Sequence, residues 1–186
     1  NEHADVPLMI ACGYYDNFIG ASCDYYKFMS KKNKSKTSLI IGPWCHGGMR
    51  AEGSSHGDAD TGIQSVWGVQ KYNEERLNFF DKHLKKIDTK EKPKIRLYIM
   101  GHGDGRKTKN GNLNHGGIWR DEIEWPLERT EYNTLFLSNE RKLTPFLDAE
   151  KNSKITYKFD PNNPVPTIGG QIVGMFEIIP EKEGGP

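Results

Sequence analysis

Residues 6–46 read VPLMIACGYYDNFIGASCDYYKFMSKKNKSKTSLIIGPWCH. Two short apolar runs, Val6–Ala11 and Ser38–Ile41, each end in a glycine-containing turn, and each turn delivers one residue able to do acid–base chemistry: Asp16 after the first, His46 after the second. The runs are rich in Leu and Ile without clean alternation, as in strands buried on both faces of a parallel sheet. Between them, Phe18, Ala21, Tyr25, Phe28 and Met29 recur at helical spacing over Asn17–Lys32. The stretch therefore predicts strand, helix, parallel strand with a right-handed crossover. Parallel strands end along one edge of their sheet, and ligands sit outside those carboxyl ends. Asp16 and His46 are thus expected to meet although thirty positions separate them.

A carboxylate that accepts from one imidazole nitrogen fixes the tautomer, leaving the other nitrogen to take a proton from a hydroxyl nucleophile. The order Asp then His on successive strands matches the last two members of an α/β-hydrolase triad. The first member is missing: no G-x-S-x-G occurs. An acid and a base without a nucleophile suggest a piece of a longer protein.

Five segments carry a resemblance. GYYD (13–16), GPWCHG (42–47), NFFDKHLK (78–85), WRDEIEWP (119–126) and DPNNPVPTIGG (160–170) together resemble the CocE/NonD serine hydrolases, a family of X-Pro dipeptidyl-peptidase, cocaine esterase and α-amino-acid ester hydrolase type. The segments stand in family order and span nearly the whole chain. The resemblance implies that Asp16 and His46 are the triad acid and base, and that the serine and oxyanion-hole groups lie upstream of this sequence. It implies an ester, amide or peptide substrate, X-Pro peptides among them. Cys45 occupies a position where the family varies. The resemblance also implies an architecture of α/β plus all-β type: residues 1–92 as the C-terminal part of an α/β-hydrolase domain, and 93–186 as the start of a jelly-roll-like β-sandwich.

The remaining residues bear on that division. Gly62–Lys86 carries Val66, Val69, Tyr72, Leu77, Phe80 and Leu84 as an apolar stripe, which predicts a helix packed on the sheet. His83 falls in its last turn, where the helix dipole favours an imidazolium. After the charged connector IDTKEK (87–92) and Pro93, KIRLYIM (94–100) alternates with period two. Asn133–Leu137, Lys154–Phe159 and Gln171–Glu177 also have strand composition. Short strands punctuated by Pro and Gly argue for a sandwich, and this one is incomplete, since about seven or eight strands are usual. Gly101–Gly117 mimics a phosphate-binding glycine loop, but no helix pattern follows it, so a mobile inter-strand insertion is expected. Trp119 and Trp125 are expected to pack between the two parts, and 160–170 to form a buried loop.

Composition excludes other classes. The 26 basic and 25 acidic residues leave a net charge of +1, unlike the concentrated basic face of a nucleic-acid binder. No apolar run approaches the length of a membrane span. The three cysteines, Cys12, Cys23 and Cys45, lack metal spacing and suit isolated thiols in a reducing, cytoplasmic compartment. No cofactor is expected, and oligomeric assembly is left open. Two competing readings remain: a non-catalytic β-sandwich that binds carbohydrate or peptide, and a metal-dependent hydrolase using His46, His56, Asp58 and Asp60. The last spacing fits no usual zinc pattern.

Overall fold

A computed structural model describes residues 4–138, 140–147, 154, 156–165 and 170–171. The chain runs β1 (Leu8–Tyr15), α1 (Ile19–Lys32), β2 (Thr37–Cys45), β3 (Ser55–His56), β4 (Ala59–Asp60), α2 (Gly68–His83), β5 (Ile95–Met100), β6 (Leu113–Asn114), β7 (Gly117–Glu122), β8 (Phe136–Leu137) and β9 (Leu143–Thr144). One compact unit extends to Pro126, and a second begins at Leu127. The second contains the ribbon β8–β9, Phe136 opposite Thr144 and Leu137 opposite Leu143. Among the described residues no helix is long and apolar enough to cross a membrane.

In the first unit a four-stranded sheet has the order β1-β2-β5-β7. The crossover through α1 makes β1 and β2 parallel, with Ile10 opposite Leu39 and Cys12 opposite Ile41. β5 continues the parallel set, Ile95 beside Leu39 and Leu97 beside Ile41. These four side chains, Leu39, Ile41, Ile95 and Leu97, are at most 2% exposed. Ile95–Met100, the segment expected to open a separate sandwich, thus pairs with the strands that precede residue 92. The sheet runs straight across residue 92. The alternation in KIRLYIM reflects a strand with Ile95 and Leu97 in the core and Arg96 turned to the less buried face, where it pairs with Asp121 at 2.8 Å. β7 closes the sheet antiparallel to β5.

Both helices present a face other than the expected one. In α1, Tyr26 and Met29 are buried while Tyr25 and Phe28 are about half exposed. In α2, Val69, Leu77, Phe80 and Leu84 are exposed, and Trp67, Glu75, Phe79 and Lys82 border a cleft against Leu8 and Ile40 of the sheet. The reason is local polarity at this end of the sheet. Lys92 pairs with Glu75 at 2.9 Å, and Lys36 and Lys82 both pair with Glu91, so a mixed helix face fits better than an apolar one. His83 does not gain the expected imidazolium stabilisation. Partial burial, then the charges of Lys82, Lys86 and Lys36, hold its pKa below the usual histidine value.

The segment 101–117 is not a free insertion. β6 pairs with β4 in a small sheet with β3. Leu113 N–H donates to the Asp58 carbonyl at 2.7 Å, His115 N–H to that of Asp60 at 2.8 Å, and the Asn112 amide to that of Gly57 at 2.8 Å. Backbone pairing fixes a stretch whose side chains carry no hydrophobic signal. Of the other expected strands, the described residues of 154–159 adopt none, and residues 172–177 lie outside the described residues. Residues 160–165 are exposed rather than buried.

Two glycines of the motifs explain themselves sterically. Gly13 and Gly42 lie opposite each other across β1 and β2. A Cβ on Gly13 would overlap the Trp44 carbonyl, and one on Gly42 would overlap the Trp44 ring. Trp44 is 1% exposed, donates from Nε1 to the Ser65 carbonyl at 3.0 Å, and packs against Trp67 and Trp119. Trp119 therefore packs inside the first unit. Because the clash at Gly13 is with backbone, Gly13→Ala in the full-length protein is expected to cost ~3 kcal/mol, read as a lower denaturation midpoint. An unchanged midpoint would refute this packing.

Candidate acid–base site

The site forms where β1 and β2 end. Register shifts between Gly13 and Tyr15, so that Tyr15 faces Cys45. Such irregularities bend a strand and re-aim the side chains that follow. The next residue is Asp16, 5% exposed. Its backbone closes a turn, with Asp16 N–H donating to Gly13 O and Ile19 N–H to Asp16 O, both at 3.1 Å. Its carboxylate has two partners on its two oxygens. Oδ1 accepts from the Phe18 N–H at 2.8 Å, and Oδ2 lies 3.0 Å from His46 Nδ1.

His46 follows β2 directly, and Gly47 after it takes a left-handed φ of 77° that a side chain would strain. The chain then tightens into a 3-10 turn over Gly48–Arg50. A carboxylate can only accept, so the proton sits on Nδ1 and the lone pair on Nε2. The described residues give Nε2 no hydrogen bond, and the His46 side chain is 43% exposed. Phe18 stands edge-on to the imidazole, ring centroids 5.2 Å apart. An oriented imidazole with one nitrogen held and the other open can accept a proton from a hydroxyl or water.

Phe18 is the residue that sequence reading misplaced. It belongs to the turn, not to the apolar stripe of α1, and is 51% exposed. Its backbone holds Asp16 and its ring braces His46. The signal available in the sequence was its position two residues after the acid, where Asp side chains commonly accept from the backbone.

The other candidate ligands are dispersed. Asp60 Oδ1 is taken by the Gly62 N–H at 2.8 Å, Asp58 is exposed, and His56 is buried. Among the described residues no three of His, Cys, Asp and Glu gather closely enough to hold a metal ion. The cleft beneath α2 contains neither Asp16 nor His46. Cys45 is half-buried, and burial pushes its thiol pKa up. Cys12 and Cys23 are free thiols, Cys12 buried with its sulfur 3.8 Å from the Ile40 carbonyl and Cys23 partly buried.

Burial holds His56 neutral, its pKa lowered to about 4 against a partial opposing effect of Asp60. The unfolded chain takes up this proton near pH 6.5 and the folded chain only near 4. The neutral ring's contribution is thus complete above about pH 6.5 and falls away as pH drops towards 4, by about 3 kcal/mol. In full-length protein, His56→Asn is expected to flatten the stability slope between pH 6.5 and 4. An equal slope in the variant would refute the assignment.

No protein-family model matches the chain. It is 29% identical over 178 residues to the cocaine esterase of Rhodococcus sp. (strain MB1 Bresler), an alignment covering 90% of this chain and 28% of that enzyme. Its fold matches the crystal structure of an aminopeptidase from a marine sediment archaeon, Thaumarchaeota archaeon, with a TM-score of 0.63 and 23% identity, over 95% of this chain and 27% of that one. The chain thus spans little more than a quarter of either protein's length, and within that span it is related in sequence to an ester hydrolase and shares the fold of the corresponding part of an aminopeptidase.

Proposed function

We propose that these residues are the acid–base portion of a serine hydrolase that cleaves ester or amide bonds, with X-Pro dipeptidyl substrates within its range. Asp16 holds and charge-balances His46, and His46 Nε2 removes the proton of a serine hydroxyl supplied by polypeptide outside residues 1–186. The same nitrogen then returns the proton to the leaving alcohol or amine. The observation that carries this reading is the 3.0 Å Nδ1–carboxylate contact with Nε2 left uncommitted. Likeness to an esterase over 90% of the chain supports the reaction class. Residues 1–186 are inactive by themselves on this reading, because no acyl-enzyme forms without the serine.

The test is a fluorophosphonate probe applied to the full-length protein, with the labelled residue located by mass spectrometry. The label is expected on a serine outside these residues, and His46→Ala is expected to abolish it. Label on Cys45, or labelling indifferent to His46→Ala, would overturn the proposal.

A further inference from the structure

Acid and base come abreast only because the strands that carry them change register. Leu8 pairs with Thr37 and Gly13 with Gly42, an offset of 29 positions, whereas Tyr15 pairs with Cys45, an offset of 30. Two residues of β2, Pro43 and Trp44, thus oppose one of β1, Tyr14, which is the geometry of a β-bulge. Without the extra residue Asp16 would stand opposite Cys45, and His46 would lie one position further on. Tyr15 and Cys45 form the single β1–β2 pair in the new register.

The Tyr15 side chain adds a second hold. It is 8% exposed, and its hydroxyl donates to the Met100 sulfur at 3.1 Å. A thioether only accepts, and burial pushes the Tyr15 pKa up, so the phenol stays protonated as the donor. Met100 is the last residue of β5, and β5 lies on the far side of β2 from β1. One side chain therefore starts on the strand of the acid, spans the strand of the base and ends on a third.

We propose that Tyr15 is a positioning residue for the acid–base pair: its ring, seated at Met100, locks the one-residue shift that sets Asp16 beside His46. Its effect on turnover rests on the roles proposed above for Asp16 and His46; its effect on geometry does not. The buried ring carries the larger share, because it is the part that reaches across β2. The hydroxyl adds a weaker bond, sulfur being a poor acceptor. Without the ring, Asp16 keeps the Phe18 amide at 2.8 Å but loses the register that turns it to His46. A displacement of about 1 Å in a positioned group can cost about 100-fold in rate.

The test is Tyr15→Leu in the full-length protein, crystallised and assayed on an activated ester. The crystal structure is expected to place Asp16 Oδ2 beyond ~3.5 Å from His46 Nδ1. Turnover is expected to fall ~10–100-fold with KM little changed. Tyr15→Phe keeps the ring and is expected to lose only ~3-fold. Because Tyr15 acts through Asp16, Tyr15→Leu added to Asp16→Asn is expected to cost less than ~2-fold more. An Asp16–His46 contact still at 3.0 Å in Tyr15→Leu would overturn the proposal whatever the turnover, since the side chain would then serve the core alone. A further ~10-fold loss in the Asp16→Asn background would overturn it as well, because Tyr15 would then act by another route. If Tyr15→Leu does not fold, Met100→Ala removes the seat of the ring and is read in the same way. A wild-type protein inert towards esters would instead refute the hydrolase reading, and the crystal structure of the variant would still decide the positioning.

Discussion

His46→Ala in the full-length protein is expected to lower turnover of an activated ester by ~10⁴ or more, with little change in KM. A serine hydroxyl is a poor nucleophile unless a base removes its proton as it attacks, and His46 Nε2 is the open nitrogen at the sheet edge. Asp16→Asn is expected to cost a comparable factor for a different reason. An amide nitrogen opposite Nδ1 would donate where the carboxylate accepts, which turns the imidazole to the wrong tautomer. The pair at 3.0 Å and the Phe18 amide at 2.8 Å leave the side chain little room to reorient. Cys45→Ser is the control and should turn over as wild type does, since burial keeps that thiol protonated. A Cys45→Ser enzyme as dead as His46→Ala would make the thiol the nucleophile. Activity within 10-fold of wild type for His46→Ala would remove the base from the mechanism.

How much of this was legible beforehand depended on whether the signal was local. The apolar runs ahead of Asp16 and His46 marked two parallel strands, β2 the more deeply buried of the two, and order along the chain was enough to bring acid and base to one edge. The helices were legible as helices but not in phase. Aromatic and apolar residues come in adjacent pairs, Tyr25-Tyr26 and Phe28-Met29 in α1 and Phe79-Phe80 in α2. Each pair offers two interleaved stripes, and only packing selects one. At the third strand, Pro93 and a change of period read as a boundary. Yet Ile95 and Leu97 supply the neighbours that Leu39 and Ile41 require. The pinned loop after β5 was invisible because backbone groups of residues 57–60 hold it, and backbone pairing has no residue code.

Expressed alone, residues 1–186 are expected to show no cooperative thermal transition and no hydrolysis of an activated ester. Within the described residues β1 pairs only with β2, leaving its other edge without a strand partner. On the helices, Tyr25, Phe28, Val69, Leu77, Phe80 and Leu84 are all 45% exposed or more, and Ile123 is 81% exposed. Full burial of one such side chain contributes roughly 1.5–3 kcal/mol, and a folded domain keeps a net stability of only ~5–15 kcal/mol. Several half-buried anchors on two helices forgo an amount of that same size, so what is left does not secure a two-state fold. The absence of turnover has a separate cause. His46 has its open nitrogen, but no described hydroxyl or thiol hydrogen-bonds to it. Solution size, a melting scan and an ester assay on the isolated chain separate the two claims. A monodisperse monomer with one sharp transition would refute the first, because the exposed stripes would then cost less than supposed. Hydrolysis abolished by His46→Ala would refute the second, and would require a nucleophile within these residues.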